Sequence, residues 1–448
     1  MDRVEDLDPG GRLGRLSPHR IAIVGAGYAG IAAAVELVRG GAAVTLLDAN
    51  RTAGGRARRV EYRGAVLDNG QHILLGAYRQ TLALMKAVGA PANALRHHRL
   101  AIHYPGTLEL AAPSLPAPLH LAAALATARG LTFLERSAAF ALAFAIRRAE
   151  ESARKGETVA GFLARHDQPE RVRRLLWEPL CVAALNTPAE RADARVFSRV
   201  LCDALTRSRA DSDLLLPALD LSSLLPDPAI AWLGERGTEI LLGTRVTALA
   251  RTAGGWRLST SEGPREFDAV VCATAPYEAS SLLGSVPTLA PLAARISAIA
   301  HEPITTVYLQ YDSRVHLPFP MTGVENGHAQ WLFDREALGG ARGLVAAVIS
   351  ASHAQAALDH DVLATTVHRE VERLGGTLDP PRWTKVITEK RATFACTPGA
   401  WRPAADTGAP GLALAGDYTE GPYPATLEAA VASGLRAARL LLVSGHEK

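Results

Sequence analysis

The stretch Ile21–Asp48, IAIVGAGYAGIAAAVELVRGGAAVTLLD, restricts the fold more than any other part of the chain. Ile21 to Val24 is a short apolar run of the kind that becomes a buried parallel strand, and it stops at Gly25-Ala26-Gly27-Tyr28-Ala29-Gly30. The three glycines have G-x-G-x-x-G spacing, and each answers a steric demand. Gly25 permits a tight turn, Gly27 lets a pyrophosphate approach the backbone beside Ala26, and Gly30 lets the following helix lie close against the strand. A helix expected over Ile31–Arg39 directs its unpaired N–H groups and positive dipole end at the phosphates, and Gly40-Gly41 ends it. A second strand, Ala43–Leu47, closes on Asp48, about 20 residues past the glycines, where a carboxylate can hydrogen-bond a ribose. Glycine is common here, 39 of 448 residues, so the triplet alone would be a weak sign. The strand before it, the helix after it and the acid at the right distance argue for a dinucleotide site over a ligand-free turn.

A second glycine pair follows in Arg51-Thr52-Ala53-Gly54-Gly55-Arg56, where Gly55 and Arg56 offer further pyrophosphate contacts. This loop resembles the GGR element of the amine oxidase and phytoene desaturase superfamily, and the resemblance implies FAD. In that superfamily the position of Asn69-Gly70-Gln71-His72 lies beside the isoalloxazine ring, which implies flavin contact for Gly70, Gln71 and His72, with a purely structural turn as the alternative. The same resemblance implies an adenine contact for the backbone at Val246. Near the C-terminus, Gly411–Tyr418 reads as a strand running into Gly416-Asp417, and a helix is expected to begin over Ala425–Gly434. Gly416 and Asp417 can hold the ribityl chain and pyrophosphate. The helix start at Ala425, Thr426 and Leu427 can direct its dipole at the N1/O2 edge of a flavin.

At 448 residues and 48% hydrophobic composition the chain exceeds one ordinary domain. The expected fold class is α/β: a Rossmann-like FAD-binding domain of the GR2 type with an inserted α+β substrate-binding domain. The FAD-binding domain is assigned to 18–76, 232–276 and 409–448, the substrate-binding domain to 77–231 and 277–408, and residues 1–17 to a flexible tail. Spacing at three and four over Ala77–Leu225 predicts a helical region, Thr238–Leu249 reads as one strand, and 277–408 alternates as an antiparallel sheet flooring a substrate cavity. A net charge of only +3 with no Lys/Arg block gives nucleic-acid binding no support. Cys181, Cys202, Cys272 and Cys396 lack C-x-x-C spacing and read as buried thiols of a reducing compartment, with no metal site. The charged N-terminus lacks an apolar signal core, which predicts a cytoplasmic location, and the mildly basic balance allows peripheral contact with the inner face of a membrane. Ser137–Ile146, flanked by Arg136 and by Arg147-Arg148, fits a core helix or one dipping into a membrane surface, the core being preferred.

Four longer motifs narrow the resemblance: GQHILLGAY at Gly70–Tyr78, LWEPLCVAALNTP at Leu176–Pro188, RATFACTPG at Arg391–Gly399 and AGDYTEGPYPATLE at Ala415–Glu428. Over about residues 20 to 440 the chain resembles the hydroxysqualene dehydroxylases, also called squalene-associated FAD-dependent desaturases, of bacterial hopanoid biosynthesis. The resemblance implies reductive removal of the hydroxyl of hydroxysqualene to give squalene, with hydride from reduced FAD. Asp48 stands where many superfamily members carry Glu, and the shorter acid still reaches a ribose. The apolar segment around Leu176–Thr187, with sparse carboxylates, suits a long hydrocarbon. Loss of the hydroxyl needs an acid, for which Glu178, Asp211, Asp213 and His72 are candidates against the plainer roles of capping and ion pairing. A carotenoid-type desaturase and a non-catalytic FAD-binding partner of squalene-forming enzymes are the alternatives. The absence of a second βαβ fingerprint in 277–408 predicts that electrons come from an external donor, either another protein or a transiently bound small molecule.

Overall fold

The computed structural model describes residues 19–146 and 153–444, so the expected tail at 1–17 and Arg147-Arg148 lie outside the described residues. At its centre is a five-stranded parallel sheet in the order Glu239–Leu242, Ala43–Asp48, Arg20–Val24, Ala269–Cys272, Leu412–Leu414. Ile21 to Val24 is buried on both faces, as a continuous apolar run in a parallel sheet requires. Ile21 and Ile23 face a helical layer formed by Tyr28–Arg39, Pro226–Gly234 and Leu427–Ser444. Ala22 and Val24 face the other way, into a core shared with the three-stranded meander Val246–Thr252, Gly255–Thr260 and Gly263–Phe267.

The first helix starts at Tyr28, inside the glycine motif, three residues before the expected Ile31. The run Thr238–Leu249 is two strands. Gly243, at φ +86°, turns the chain, so Glu239–Leu242 joins the parallel sheet and Val246–Thr252 opens the meander. Ala77–Leu225 carries the helices Arg79–Ala87, Leu119–Thr127, Phe133–Ile146, Glu178–Leu185 and Ala194–Leu205, but it is also part sheet. Leu95–His98 and Leu214–Pro217 pair with each other, and Leu214–Pro217 also pairs with Leu74–Leu75, while Ala101–Tyr104 and Leu108–Ala111 form a hairpin. Strands of four residues are too short to impose their alternation on the surrounding helical spacing.

The second large sheet is antiparallel, in the order Met321–Gly323, Trp331–Asp334, Leu344–Ser350, His301–Gln310, Trp383–Phe394. Val307, Leu309, Ala347 and Ile349 pack beneath the helix His360–Gly375. Tyr308, Ala346, Val348 and Phe333 face the core that also reaches the parallel sheet. The core around the first helix draws in Leu84, Met85, Leu215, Leu221 and Leu224, residues on the far side of the expected boundaries at 76/77 and 231/232. A buried carboxylate fastens this junction: Glu428 accepts from Gln80 N and Thr81 N at 2.9 Å and from Thr81 Oγ1 at 2.7 Å, so the C-terminal helix caps Arg79–Ala87.

Candidate functional site

Each glycine of the first turn is needed for a different reason. Gly25 has φ +110°, and a Cβ there would lie 2.6 Å from the Ala273 carbonyl oxygen. A Cβ at Gly30 would overlap the Gly25 carbonyl oxygen. Gly27 is extended, at φ −77° and ψ 179°, a conformation any residue adopts. The nearest atom to a Cβ at Gly27 would be the Gly55 Cα, at 3.8 Å. The two glycine motifs are laced together here: Gly54 N–H donates to the Ala26 carbonyl at 2.8 Å, and Gly27 and Gly54 form an isolated bridge. Gly54 and Gly55 have φ +114° and +63°. The result is a strip of bare backbone between Gly27 and Gly55 that any side chain at 27 would fill.

Asp48 ends the second strand with both oxygens engaged. Oδ2 accepts from Ala26 N at 2.7 Å, and Oδ1 accepts from Asn50 N at 2.7 Å and from Asn50 Nδ2 at 3.0 Å. The shorter acid thus pins the glycine turn, and any ribose contact shares these oxygens. Leu242 is in register with Asp48, and Gly243 N donates to the Asn50 carbonyl at 3.0 Å, which brings the start of the meander at Val246 alongside.

Arg56 joins three distant motifs. Its guanidinium lies 2.7 Å from Asp417 Oδ1 and donates to the Ala392 carbonyl. Burial works against the charge, but Asp417 outweighs it and holds the Arg56 pKa above its usual value. Gly416 N donates to Ser433 Oγ at 2.8 Å, and Thr426 Oγ1 caps the C-terminal helix by accepting from Ala429 N at 3.1 Å. The first N–H groups of that helix, at Leu427 and Glu428, have no intrahelical partner. Ala425 precedes this cap, half-buried.

On the far side, His72 Nδ1 lies 2.7 Å from the Gly70 carbonyl. A carbonyl only accepts, so Nδ1 carries the hydrogen and Nε2 is an acceptor. Burial, aided by the charge of Arg56, lowers the His72 pKa from its usual value. A Cβ at Gly70 would lie 3.8 Å from Thr306 Oγ1, so the second sheet faces this turn. Gln71 Oε1, Thr306 Oγ1, His301 Nε2 and Tyr418 OH are buried and have no hydrogen-bond partner among the described residues. His301 and Tyr418 both feel Arg56 and Asp417. Buried orphans of this kind cost about 1–3 kcal/mol each unless a ligand satisfies them. Bare backbone at the glycines, a helix N-terminus and unsatisfied polar atoms around Gly70 and Arg56 together fit the phosphates and the polar flavin edge of FAD. Thr306, His301 and Tyr418 escape a sequence reading. The one signal is polarity inside apolar strands, as in Ile304-Thr305-Thr306-Val307.

Asp68 was also missed. Its Oδ1 accepts from Leu221 N at 2.7 Å and its carbonyl accepts from Tyr308 OH at 2.9 Å. Burial raises its pKa to about 6, with Arg335 opposing.

The proposed acids separate. Asp211 pairs with Arg79 at 2.8 Å and Asp213 with Arg209 at 3.0 Å. Their carbonyls accept from Ala77 N and Gly76 N, so both stand against the segment that continues from His72. Between them, Ser212 Oγ lies 3.1 Å from Nε2 of the buried His120. Glu178 pairs with Arg173 of the preceding turn at 3.2 Å, and no hydrogen bond joins it to the His72 segment among the described residues. The motif around it is a joint: Asn186, at φ +48°, donates to Thr393 Oγ1 at 3.0 Å and accepts from Ala351 N at 2.7 Å. No cluster of three or more His, Cys, Asp or Glu able to hold a metal occurs among the described residues.

A parallel-sheet dinucleotide unit, two laced glycine motifs and a C-terminal strand-to-helix turn define a flavoenzyme class. Residues 28–442 match the family of flavin containing amine oxidoreductases, and the chain belongs to it. The protein is an FAD-dependent oxidoreductase. Among curated relatives it is 29% identical to the hydroxysqualene dehydroxylase of Rhodopseudomonas palustris, over 95% of this chain and 99% of that protein. It is 27% identical to a probable zeta-carotene desaturase of Synechococcus elongatus, over 94% and 98%. The solved cyclohexylamine oxidase of Brevibacterium oxydans shares the fold, with a TM-score of 0.71 at 17% identity, over 96% of this chain and 100% of that one.

Proposed function

We propose that the protein removes the hydroxyl group of hydroxysqualene reductively, giving squalene. The observation that carries this is the full-length similarity to the Rhodopseudomonas palustris hydroxysqualene dehydroxylase, which spans the cradle segments and the inserted region alike. The hydroxyl leaves with a proton as water, and the carbon it leaves receives a hydride. Reduced FAD, when bound, supplies that hydride. The chain's own part is to hold and to exclude. The Gly27–Gly55 strip and the Arg56–Asp417 pair receive the pyrophosphate side, and the start of the helix at Thr426 and Leu427 favours negative charge on the flavin edge. Tyr308, Ala346 and Val348 share the sheet face on which Thr306 meets Gly70, an apolar surround that disfavours water beside that turn. His72, Asp211 and Asp213 are the candidates for proton delivery, because the fold gathers them on or against the segment 72–77. Through Nε2, a protonated His72 would release its proton readily, since burial disfavours the imidazolium. Glu178 is the weaker candidate.

Chemically reduced holoenzyme incubated with hydroxysqualene should yield squalene in the organic extract. No squalene from protein with verified FAD occupancy would overturn this function. The similarity to a zeta-carotene desaturase supports the second reading, the same fold run with opposite electron flow. Oxidised holoenzyme with phytoene and an electron acceptor tests it.

A further inference from the structure

Outside the cradle, the helix Phe133–Ile146 is apolar on two sides. Ala139, Leu142, Ala143 and Ile146 are buried in the core, whereas Phe133 and Leu134 are 80% and 77% exposed and Phe140 is 49% exposed. The exposed positions Phe133, Leu134, Ser137, Phe140, Ala141 and Phe144 recur at helical spacing, so they form one stripe, and none carries a charge. The helix Leu119–Thr127 packs alongside and adds Leu119, 56% exposed. Apolar surface this continuous marks an interaction site.

Basic groups border its tip. Arg136 donates to the Leu131 and Ala126 carbonyls and Arg171 to the Gly130 carbonyl, so both guanidiniums sit at the turn between the two helices. Arg129 lies in that turn, 3.4 Å from Glu109 in an exposed pair. Glu109 pairs with Arg129 and Glu135 accepts from Thr132 N at 2.7 Å, while Arg136 and Arg171 bond backbone carbonyls of the turn.

We propose that this helical pair seats the protein on a phospholipid bilayer, with Phe133, Leu134 and Phe140 at the acyl boundary and Arg129, Arg136 and Arg171 at the level of the phosphates. Aromatic and leucine side chains beside a basic rim are the division of an interfacial helix. The basic groups at the tip select a surface that carries phosphate over a second copy of the chain, which light scattering would reveal. No helix among the described residues is long and apolar enough to cross a membrane, so the contact is with one leaflet. Behind the stripe, His120 of the inner helix face meets Ser212, whose neighbours bind Gly76 and Ala77. The docked face is thus one layer outside the segment that carries His72. The proposal rests on this surface and is independent of the reaction assigned above.

Holoenzyme is sedimented with vesicles of phosphatidylcholine alone and of phosphatidylcholine with about one-third phosphatidylglycerol. Wild type should sediment with the anionic vesicles. The F133S/L134S/F140S variant should partition at least about a hundredfold less while retaining its flavin. Arg129→Gln should lose about fivefold on anionic vesicles and nothing on neutral ones. Phe133→Ser alone, at the most exposed position, should lose about tenfold and keeps the test open if the triple variant does not fold. Wild type that stays in the supernatant with both vesicles, or serine variants that bind as tightly as wild type, would overturn the proposal. So would a dimer in light scattering that the serine variants convert to a monomer.

Discussion

Gly27→Val separates cofactor binding from folding at a single position. The backbone there is extended, and an added Cβ would find only the Gly55 Cα, at 3.8 Å. The protein alone should therefore tolerate the side chain. Replacing glycine restricts the unfolded chain, which stabilises by about 0.4–1 kcal/mol, while loss of the helix-capping preference for glycine over an apolar residue takes back about 0.5–1 kcal/mol. The net change without FAD should be within about 0.5 kcal/mol of zero. With FAD the outcome differs, because the isopropyl group fills the strip proposed for the pyrophosphate. A ligand at a thousandfold excess over its Kd stabilises by about 4 kcal/mol, and the variant should lose nearly all of it. Gly30→Ala is the contrast: its methyl overlaps the Gly25 carbonyl oxygen, so the fold itself should fail with or without FAD. The assay is flavin-to-protein absorbance after purification, followed by denaturant melts of deflavinated protein with and without added FAD. A Gly27→Val protein that keeps full flavin absorbance, or whose deflavinated form is several kcal/mol less stable than wild type, would refute this reasoning.

Two further expectations follow from buried charge. The Asp68 pKa rises from 3.8 in the unfolded chain to about 6 in the fold, so stability is greatest at low pH on this account and declines as pH rises from about 4 through about 6. At about 1.4 kcal/mol per pH unit, ionised Asp68 costs about 3 kcal/mol at neutral pH. Asp68→Asn keeps an acceptor for Leu221 N and should gain up to about that amount relative to wild type between pH 4 and pH 7, whereas a pH-independent offset in denaturant melts would contradict it. Arg56→Gln leaves Asp417 buried without its cation and should cost about 2 kcal/mol, the guanidinium being partly exposed. The double variant with Asp417→Asn should recover part of this loss, and strictly additive losses in the cycle would argue against a direct pair.

The glycine turn was legible in the sequence because its demands are local. Gly25 and Gly30 are required by backbone atoms that the strand and helix themselves bring close. Gly27 was read as room for a pyrophosphate; the fold adds that its backbone is extended, with no demand for a positive φ, and that Gly55 faces it. The hairpin ending at Asp68 was readable from its alternation, with Arg63 and Gly64 at positive φ between the strands. What Asp68 does was not, because Tyr308 reaches it across 240 residues. The same holds for Thr306, His301 and Tyr418, whose polar atoms acquire meaning only when strands far apart in sequence converge on Arg56 and Gly70. For Ser137–Ile146 the sequence allowed a core helix or one at a membrane surface, with the core preferred. Only packing shows that Leu142 and Ile146 point inward while Phe133 and Leu134 point out.

The most direct test of the central claim follows the electrons. Holoenzyme is photoreduced without oxygen or a nicotinamide, mixed with hydroxysqualene, and monitored by flavin absorbance while the organic phase is analysed. The oxidised flavin spectrum should return, with one squalene formed for each flavin reoxidised. A reduced flavin that persists with bound hydroxysqualene, in protein whose oxidised form desaturates phytoene, would contradict the claim and reverse the direction assigned to the reaction.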